Sequence, residues 1–267
     1  MGRYRKYVSI ARTSLEVTFV YRAGFVLNML GTIFYVVAMF YLWQTIFLGS
    51  ANALGTFTWP EMKAYLLVSF LLNSLMTWFA EWNMSMDIKE GRVATDLARP
   101  MDFQASRMAA AFGPVPFEFF SAVVVGAIVA TAFGGIAFPA DPLHLVAFLF
   151  SAFLATLIKF GLVYCVSMTA FWTTGIDGIM VGRVAIQNIF SGALIPLVFF
   201  PDWLRIIAAV LPFQGMISTP ALIYLGKMDA PTTALMIGLQ ALWAVGLVLL
   251  GRLVWRGAVR AVTINGG

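Results

Sequence analysis

Six long apolar segments, joined by short loops, leave this chain almost no room for a water-soluble domain. They lie at residues 25–48, 61–82, 109–133, 145–172, 184–200 and 232–254. A helix of about 20 apolar residues spans the hydrocarbon core of a bilayer. Only 11% of the 267 residues are charged, whereas soluble domains average about 25%. We therefore predict an all-α integral membrane protein, in which residues 1–267 form a single domain with six transmembrane helices.

The distribution of Lys and Arg predicts that both termini are cytoplasmic. If the N-terminus lies inside, the predicted inner segments hold 13 of the 17 basic residues, and the outer ones hold only Lys63, Arg205 and Lys227. Cytoplasmic loops of membrane proteins retain Lys and Arg and contact anionic lipid. This contact accounts for the net charge of +5, so we expect membrane lipid as a partner and no nucleic acid. The expected location is the bacterial cytoplasmic (inner) membrane.

Residues 3–22 have the pattern of an amphipathic helix. Their apolar and basic residues recur at helical spacing on different faces, and a basic amphipathic helix lies in the headgroup plane of a membrane. A disordered basic tail is the alternative. The basic region is too long for a signal peptide. The apolar face holds Tyr4, Val8, Ala11, Leu15 and Phe19, and the polar face holds Arg5, Ser9, Arg12 and Glu16.

Residues 83–107 form the most charged loop of the chain, on the predicted cytoplasmic side. Its helical part must stop near Arg99, because Pro100 disfavours the helical conformation in the residue before it. Gly91 is expected to interrupt the helix earlier. The pattern predicts a short charged helix pair, and an ordinary solvated loop is the alternative.

Residues 201–231 are apolar but contain four prolines, at 201, 212, 220 and 231. The pieces between these prolines are too short to span a bilayer, and broken backbone is not tolerated where it meets lipid hydrocarbon. We therefore predict short interfacial or re-entrant helices on the outer side, near 202–211 and 216–225. A simple outer loop is the alternative.

Two charged residues lie deep inside predicted spans, where ionisable groups are functional candidates. They are Glu118 in the third span and Lys159 in the fourth. An ion pair that locks the two helices, a contact with a transported substrate and a proton relay are all compatible with the sequence. Pro114 and Pro116, just before Glu118, predict a kink at the start of the third span.

Catalytic motifs are missing from the chain. Gly226-Lys227 is followed by Met228 and lacks the upstream glycine of a phosphate-binding loop. The single histidine, His144, cannot form a metal site alone, and we read it as an interfacial residue. We expect no metal site, no cofactor and no catalysis in this chain.

Two segments carry a resemblance to a known family. They are DIKEGRVATDLARP at 87–100 and LIPLVFFPDWLRIIAAVLPFQGMISTPALIYLG at 194–226. With the basic N-terminal helix and the six spans, they make the chain resemble an ABC type 2 transporter permease, of the six-span subgroup encoded with one ATPase and often a second permease.

The resemblance implies a role and a set of partners. Two permease copies, the same or homologous, would pair with two ABC ATPase subunits, which would bind the ATP and Mg. The 3–22 helix would match the elbow helix of the family, the 83–107 loop would carry the coupling helix that docks on the ATPase, and 201–231 would cap the translocation path. The implied ATPase-coupling residues are Asp87, Lys89, Glu90, Gly91, Arg92, Asp96 and Arg99, and the implied outer-gate residues are Pro201, Trp203, Pro212, Phe213 and Pro220.

The function that this resemblance implies is export. The chain would be the permease subunit of an ATP-driven exporter that moves a lipophilic or amphiphilic small molecule out of the cytoplasm by alternating access. A stand-alone secondary transporter and an integral membrane lipid-modifying enzyme are the alternatives. An ATPase encoded by a neighbouring gene would favour the exporter permease over these two alternatives.

Overall fold

The computed structural model describes residues 2–49, 57–76, 78–97, 99–135, 139, 141–173 and 175–265. Throughout these residues the regular structure is helical, and they contain no strand. Three short 3₁₀ turns separate some of the α-helices. The α-helices are α1 (Gly2–Val20), α2 (Arg22–Gly49), α3 (Trp59–Ser74), α4 (Trp78–Lys89), α5 (Val93–Leu97), α6 (Phe103–Phe112), α7 (Val115–Ala132), α8 (Pro142–Met168), α9 (Ile176–Phe190), α10 (Asp202–Val210), α11 (Ser218–Tyr224) and α12 (Ala230–Asn265).

Four helical segments in the described part of the chain are long and apolar enough to cross a membrane. They are Ala23–Gly49, Phe103–Ala132, Pro142–Phe171 and Ala230–Arg260, and they coincide with the first, third, fourth and sixth predicted spans. The all-helical membrane class is thus confirmed, whereas the count of six spans stays a prediction. The third segment is central, because 61% of its apolar window is buried, against 22% or less in the other three.

The second predicted span, 61–82, is wrong as a single helix. The chain leaves the helical conformation after Ser74, and α4 begins only at Trp78. Met76 lies in this break and has a φ of 52°, a left-handed conformation that is rare for a residue with a side chain. Such a conformation costs about 1–3 kcal/mol unless its surroundings stabilise it.

The fifth predicted span, 184–200, has the wrong bounds. The helix α9 begins at Ile176 and ends at Phe190, and Gly192 then turns the chain with a φ of 84°. The hydroxyl of Tyr65 donates to the carbonyl of Gly192 at 2.8 Å and holds this turn against α3. Sequence reasoning began the helix too late, because it read Arg183 as a charge outside the apolar segment.

Other breaks lie where the sequence predicts them. The kink predicted from Pro114 and Pro116 separates α6 from α7, and α10 lies between Pro201 and Pro212, whereas Pro220 lies in the first turn of α11. The helix predicted at 3–22 is α1, which packs against α6: the hydroxyl of Ser14 donates to the carbonyl of Ala110 at 2.7 Å. Proline and glycine act locally, so these boundaries are readable from sequence.

Candidate functional site

The break between α3 and α4 is held by a buried lysine of α8. The ammonium of Lys159 donates to the carbonyl of Asn73 at 3.0 Å and also to the carbonyl of Leu75. The last carbonyls of a helix have no partners within the helix, and a cation there also interacts favourably with the helix dipole. Lys159 is 9% exposed, so the carbonyls of the break satisfy a charge that would otherwise be costly to bury.

A buried carboxylate of α7 binds the other side of the same break. The N–H of Met76 donates to Glu118 at 2.7 Å, and both residues are buried. Glu118 and Lys159, the two intramembrane charges predicted from the sequence, therefore both bind the backbone at the break between α3 and α4. Direct pairing of the two stays a prediction. Sequence reasoning did not foresee that each binds backbone, because nothing local marks Leu75 and Met76 as a break.

A buried charge pair joins α4 to α9. Arg183 binds Glu81 through two nitrogens, at 2.8 Å and 2.5 Å, and it also donates to Gln187 at 2.5 Å. The side chains of Glu81 and Arg183 are 1% and 9% exposed. Two parallel hydrogen bonds between a guanidinium and a carboxylate fix orientation as well as energy. The residues Glu81, Glu118, Lys159 and Arg183 are called the buried charge network below.

Sequence reasoning missed Glu81 and Arg183 as site residues. Glu81 falls inside the predicted span 61–82 but was not named with the intramembrane charges, and Arg183 lies one residue before the predicted span 184–200. The signal that could have identified Glu81 is its position as a carboxylate inside an apolar segment. The signal for Arg183 is its spacing from Gln187, which lies four residues further along the same helix face.

The helix pair predicted in the 83–107 loop is present. The first helix, α4, ends at Lys89, Gly91 turns the chain with a φ of 72°, and α5 ends at Leu97, before Pro100. Lys89, Glu90 and Arg99 are exposed, and so is the apolar Leu97 at 43%. We call residues 87–99 the coupling segment. This surface of mixed charge around an apolar side chain is suited to contact with another protein.

Arg107, which the sequence did not single out, ties the coupling segment together. Its side chain is 15% exposed and binds Asp96 at 2.6 Å and also Asp87. It thereby joins α4 to α5 and both to α6. Asp87 and Asp96 therefore form ion pairs with Arg107. The exposed residues of the predicted ATPase-coupling set lie at other positions of the coupling segment. Arg92 also binds Asp87, at 2.7 Å, and this bond raises the pKa of the Arg92 guanidinium further above its usual value.

We predict that Arg107→Gln loosens α5 without unfolding the membrane helices. The substitution leaves Asp87 and Asp96 without their shared partner, a loss of about 1–2 kcal/mol after screening by solvent. Amide hydrogen exchange across 91–97 should rise about tenfold. Arg99→Gln is the matched control, because Arg99 is exposed and its nitrogen lies 3.7 Å from Asp96. Equal exchange in the two variants would contradict the role assigned to Arg107.

The predicted gate residues divide into two groups. Trp203 is 64% exposed and Pro201 is also exposed, whereas Pro212 and Pro220 are buried, and Phe213 is half-buried with its ring 6.4 Å from that of Phe190. A salt bridge of 2.9 Å between Lys227 and Glu61 ties the end of this region to the start of α3.

A comparison with protein families decides the relationship of the chain. The family model described as "ABC-2 family transporter protein" matches residues 32–266. The chain belongs to the ABC-2 transporter family. The match spans α3 to α12 and most of α2, so it covers the buried charge network and the coupling segment. No curated protein and no solved structure matches the chain.

Membership in the ABC-2 family indicates the general role of this protein. Permeases of the family are membrane components of transport systems, are not themselves catalytic, and generally work with an ATPase subunit. No cluster of three or more His, Cys, Asp or Glu that could hold a metal ion occurs in the described part of the chain.

Proposed function

We propose that this chain is the permease subunit of an ATP-driven exporter, and that the buried charge network transmits movement from its ATPase. The observation that carries the proposal is the set of attachments at both ends of α4. At its far end α4 joins α5 through Arg107, in its first turn it joins α9 through Glu81 and Arg183, and just before its start lies the break whose backbone binds Glu118 and Lys159. A rigid helix with fixed attachments can transmit a displacement.

The proposed cycle assigns a part to each element. Two ATPase subunits bind ATP and Mg, and closure of their dimer pushes the exposed face of the coupling segment. Because α4 is tied to α9, the push moves α9, and the break at Met76 allows α4 to tilt against α3. Two permease copies would thereby alternate between inward-open and outward-open states. The cargo would be a lipophilic or amphiphilic small molecule moved out of the cytoplasm.

The proposed placement follows the charge distribution. Six spans, both termini in the cytoplasm and the bacterial inner membrane put the coupling segment on the ATPase side. The same placement puts α10 and α11 on the outer side, where they would close the path. Lys227 and Glu61 would then hold the outer end of α3 in the closed state.

Co-purification with the ATPase of the same transport system tests the proposal. We expect a stable complex that hydrolyses ATP in liposomes and accumulates cargo only when ATP is supplied. Directional flux through the purified chain alone, without an ATPase, would overturn the proposal and favour a secondary transporter.

We predict that Lys89→Glu with Arg99→Glu uncouples the complex. Both side chains are exposed on the coupling segment, so the reversal changes the surface offered to the ATPase and leaves the inward-facing pairs of Arg107 intact. ATP-dependent transport should fall about tenfold or more, since like charges at an interface cost several kcal/mol. Membrane insertion should not change. Arg205→Glu on α10 is the control, and undiminished transport in the double variant would exclude docking at this surface.

A further inference from the structure

The helix α1 packs closely against the end of α6. A Cβ on Gly113, which follows α6, would collide with the backbone carbonyl of Ala11. One turn further along α1, the hydroxyl of Ser14 donates to the carbonyl of Ala110 at 2.7 Å. The two backbones are therefore in direct contact, and structure packed at this density transmits a displacement because it compresses little.

The helix α6 joins α1 to the coupling segment. The hydroxyl of Tyr7 on α1 accepts a hydrogen bond from the N–H of Asp102, at 3.2 Å, just before α6 begins. Within α6, Arg107 binds Asp96 and Asp87, the ion pairs that hold the coupling segment. A path of contacts therefore runs from α1 through α6 to the segment that we propose docks on the ATPase.

The outward face of α1 is basic. Four basic residues and a single acidic one, Glu16, lie within Gly2–Val20. Glu16 pairs with Arg12 at 2.9 Å, and both side chains are exposed. Arg5 and Lys6 are exposed as well and form no ion pair with the described residues. The surface therefore offers positive charge that an anionic partner can neutralise.

Exposed apolar side chains on the same helix favour lipid as this partner. Tyr4 and Val8 lie one helical turn apart and are 81% and 66% exposed. Phe19 is 53% exposed, and its ring lies 4.8 Å from that of Phe117 at the start of α7, a membrane-spanning segment. An acidic protein surface would neutralise the charges only. A membrane surface satisfies both kinds of side chain, because acyl chains contact the apolar ones and anionic headgroups contact the basic ones.

We propose that α1 binds anionic headgroups of the membrane surface and that this binding fixes the position of the coupling segment. Lipid charge holds α1 at the surface, the backbone contact passes this restraint to α6, and Arg107 passes it to residues 87–99. Only the last consequence, an effect of anionic lipid on ATP turnover, rests on the proposed function. The binding of lipid and the restraint on the coupling segment do not.

Amide hydrogen exchange on the full chain tests the lipid step without an ATPase. The chain is placed in nanodiscs of phosphatidylcholine, and in nanodiscs in which about one third of the lipid is anionic phosphatidylglycerol. We expect phosphatidylglycerol to slow exchange about tenfold in α1 and about fivefold across 91–97. Arg5→Gln with Lys6→Gln should remove most of both differences. Exchange in α1 that does not respond to phosphatidylglycerol would overturn the proposal.

A matched control separates α1 from general surface charge. Arg252→Gln with Arg256→Gln removes the same charge from two exposed residues at the predicted cytoplasmic end of α12. This variant should keep the response of α1 and of 91–97 to phosphatidylglycerol. A loss equal to that of the α1 variant would overturn the assignment to α1. Protection of α1 that requires the ATPase instead of anionic lipid would identify a protein partner and also overturn the proposal.

Transmission is tested at the contact between α1 and α6. Gly113→Ala forces the two backbones apart, so phosphatidylglycerol should still protect α1 but no longer protect 91–97. Ser14→Ala, which loses one hydrogen bond of the same contact, replaces it if Gly113→Ala does not accumulate, and it should lower the protection of 91–97. Full protection of 91–97 in the variant measured would overturn transmission through α6.

ATP turnover of the permease–ATPase complex in the same lipids reports separately on the proposed function. Phosphatidylglycerol should raise turnover about fivefold in the unaltered chain and should have little effect on the variant that lacks the charges of Arg5 and Lys6. A response of hydrogen exchange without a response of turnover would confirm the lipid surface and contradict docking of the ATPase at residues 87–99.

Discussion

Replacing Glu118 by alanine is expected to be the most damaging single substitution at the helix break. It leaves the N–H of Met76 without its acceptor and removes the carboxylate that compensates the ammonium of Lys159. Removal of one member of a buried charged group costs about 3–5 kcal/mol. We expect poor membrane accumulation of the variant and, in the fraction that assembles, a lower unfolding temperature. Quantitative immunoblotting of membranes and thermal unfolding in detergent measure the two effects.

The effect should have two parts, the loss of the acceptor for Met76 and the loss of the charge. Glu118→Gln keeps an acceptor for Met76 and should be milder than Glu118→Ala. Combining it with Lys159→Met should cost less than the sum of the single changes, because each single change leaves an uncompensated charge. Thr156→Val is the control on α8, since its hydroxyl bonds only the carbonyl of Ala152 in its own helix. If Glu118→Ala accumulates, unfolds and transports normally, the break between α3 and α4 has no role in the proposed mechanism.

The second large effect is expected at the pair that joins α4 to α9. Glu81→Gln leaves Arg183 with an uncompensated buried charge, and Arg183→Gln leaves Glu81 in the same state, so each should destabilise the protein by about 3–5 kcal/mol. The double variant buries no unpaired charge and should recover most of the stability. Because the rigid two-nitrogen link is lost, it should not recover ATP-driven transport.

This separation of stability from transport distinguishes a transmission role from a purely structural one. Unfolding temperature and ATP-dependent flux are measured on the same preparation of the double variant. Recovery of both would mean that the pair serves folding only. Loss of ATP binding by the complex would instead indicate a defect in assembly with the ATPase, so nucleotide binding is the third measurement.

Local chemistry explains which parts of the fold were predictable. Pro114 follows the end of α6, Gly91 separates α4 from α5, and Pro201 and Pro212 lie on either side of α10. Each of these residues acts on its own backbone or on that of its neighbours. The break at Met76 has no such residue. It exists because side chains from two other helices bind its backbone, and it was therefore missed.

The candidate site was predictable in its members but not in its connections. Glu118 and Lys159 were found because a charge inside an apolar segment is conspicuous. Asp87 and Asp96 were found as charged residues, but their partner Arg107 was not, and they were expected to face another protein. In the structure they bind Arg107 and stabilise the coupling segment from within.

Composition and local pattern by themselves determined that this chain is a helical membrane protein, and they also placed several of its helix ends; the resemblance to the ABC-2 family lay in the segments 87–100 and 194–226. Only the tertiary structure decided which charges meet. Glu81 binds a residue 102 positions away in the chain, and Glu118 binds backbone 42 positions away. Hydropathy depends on each segment alone, whereas such pairings depend on the rotation and register of packed helices, which no single segment encodes.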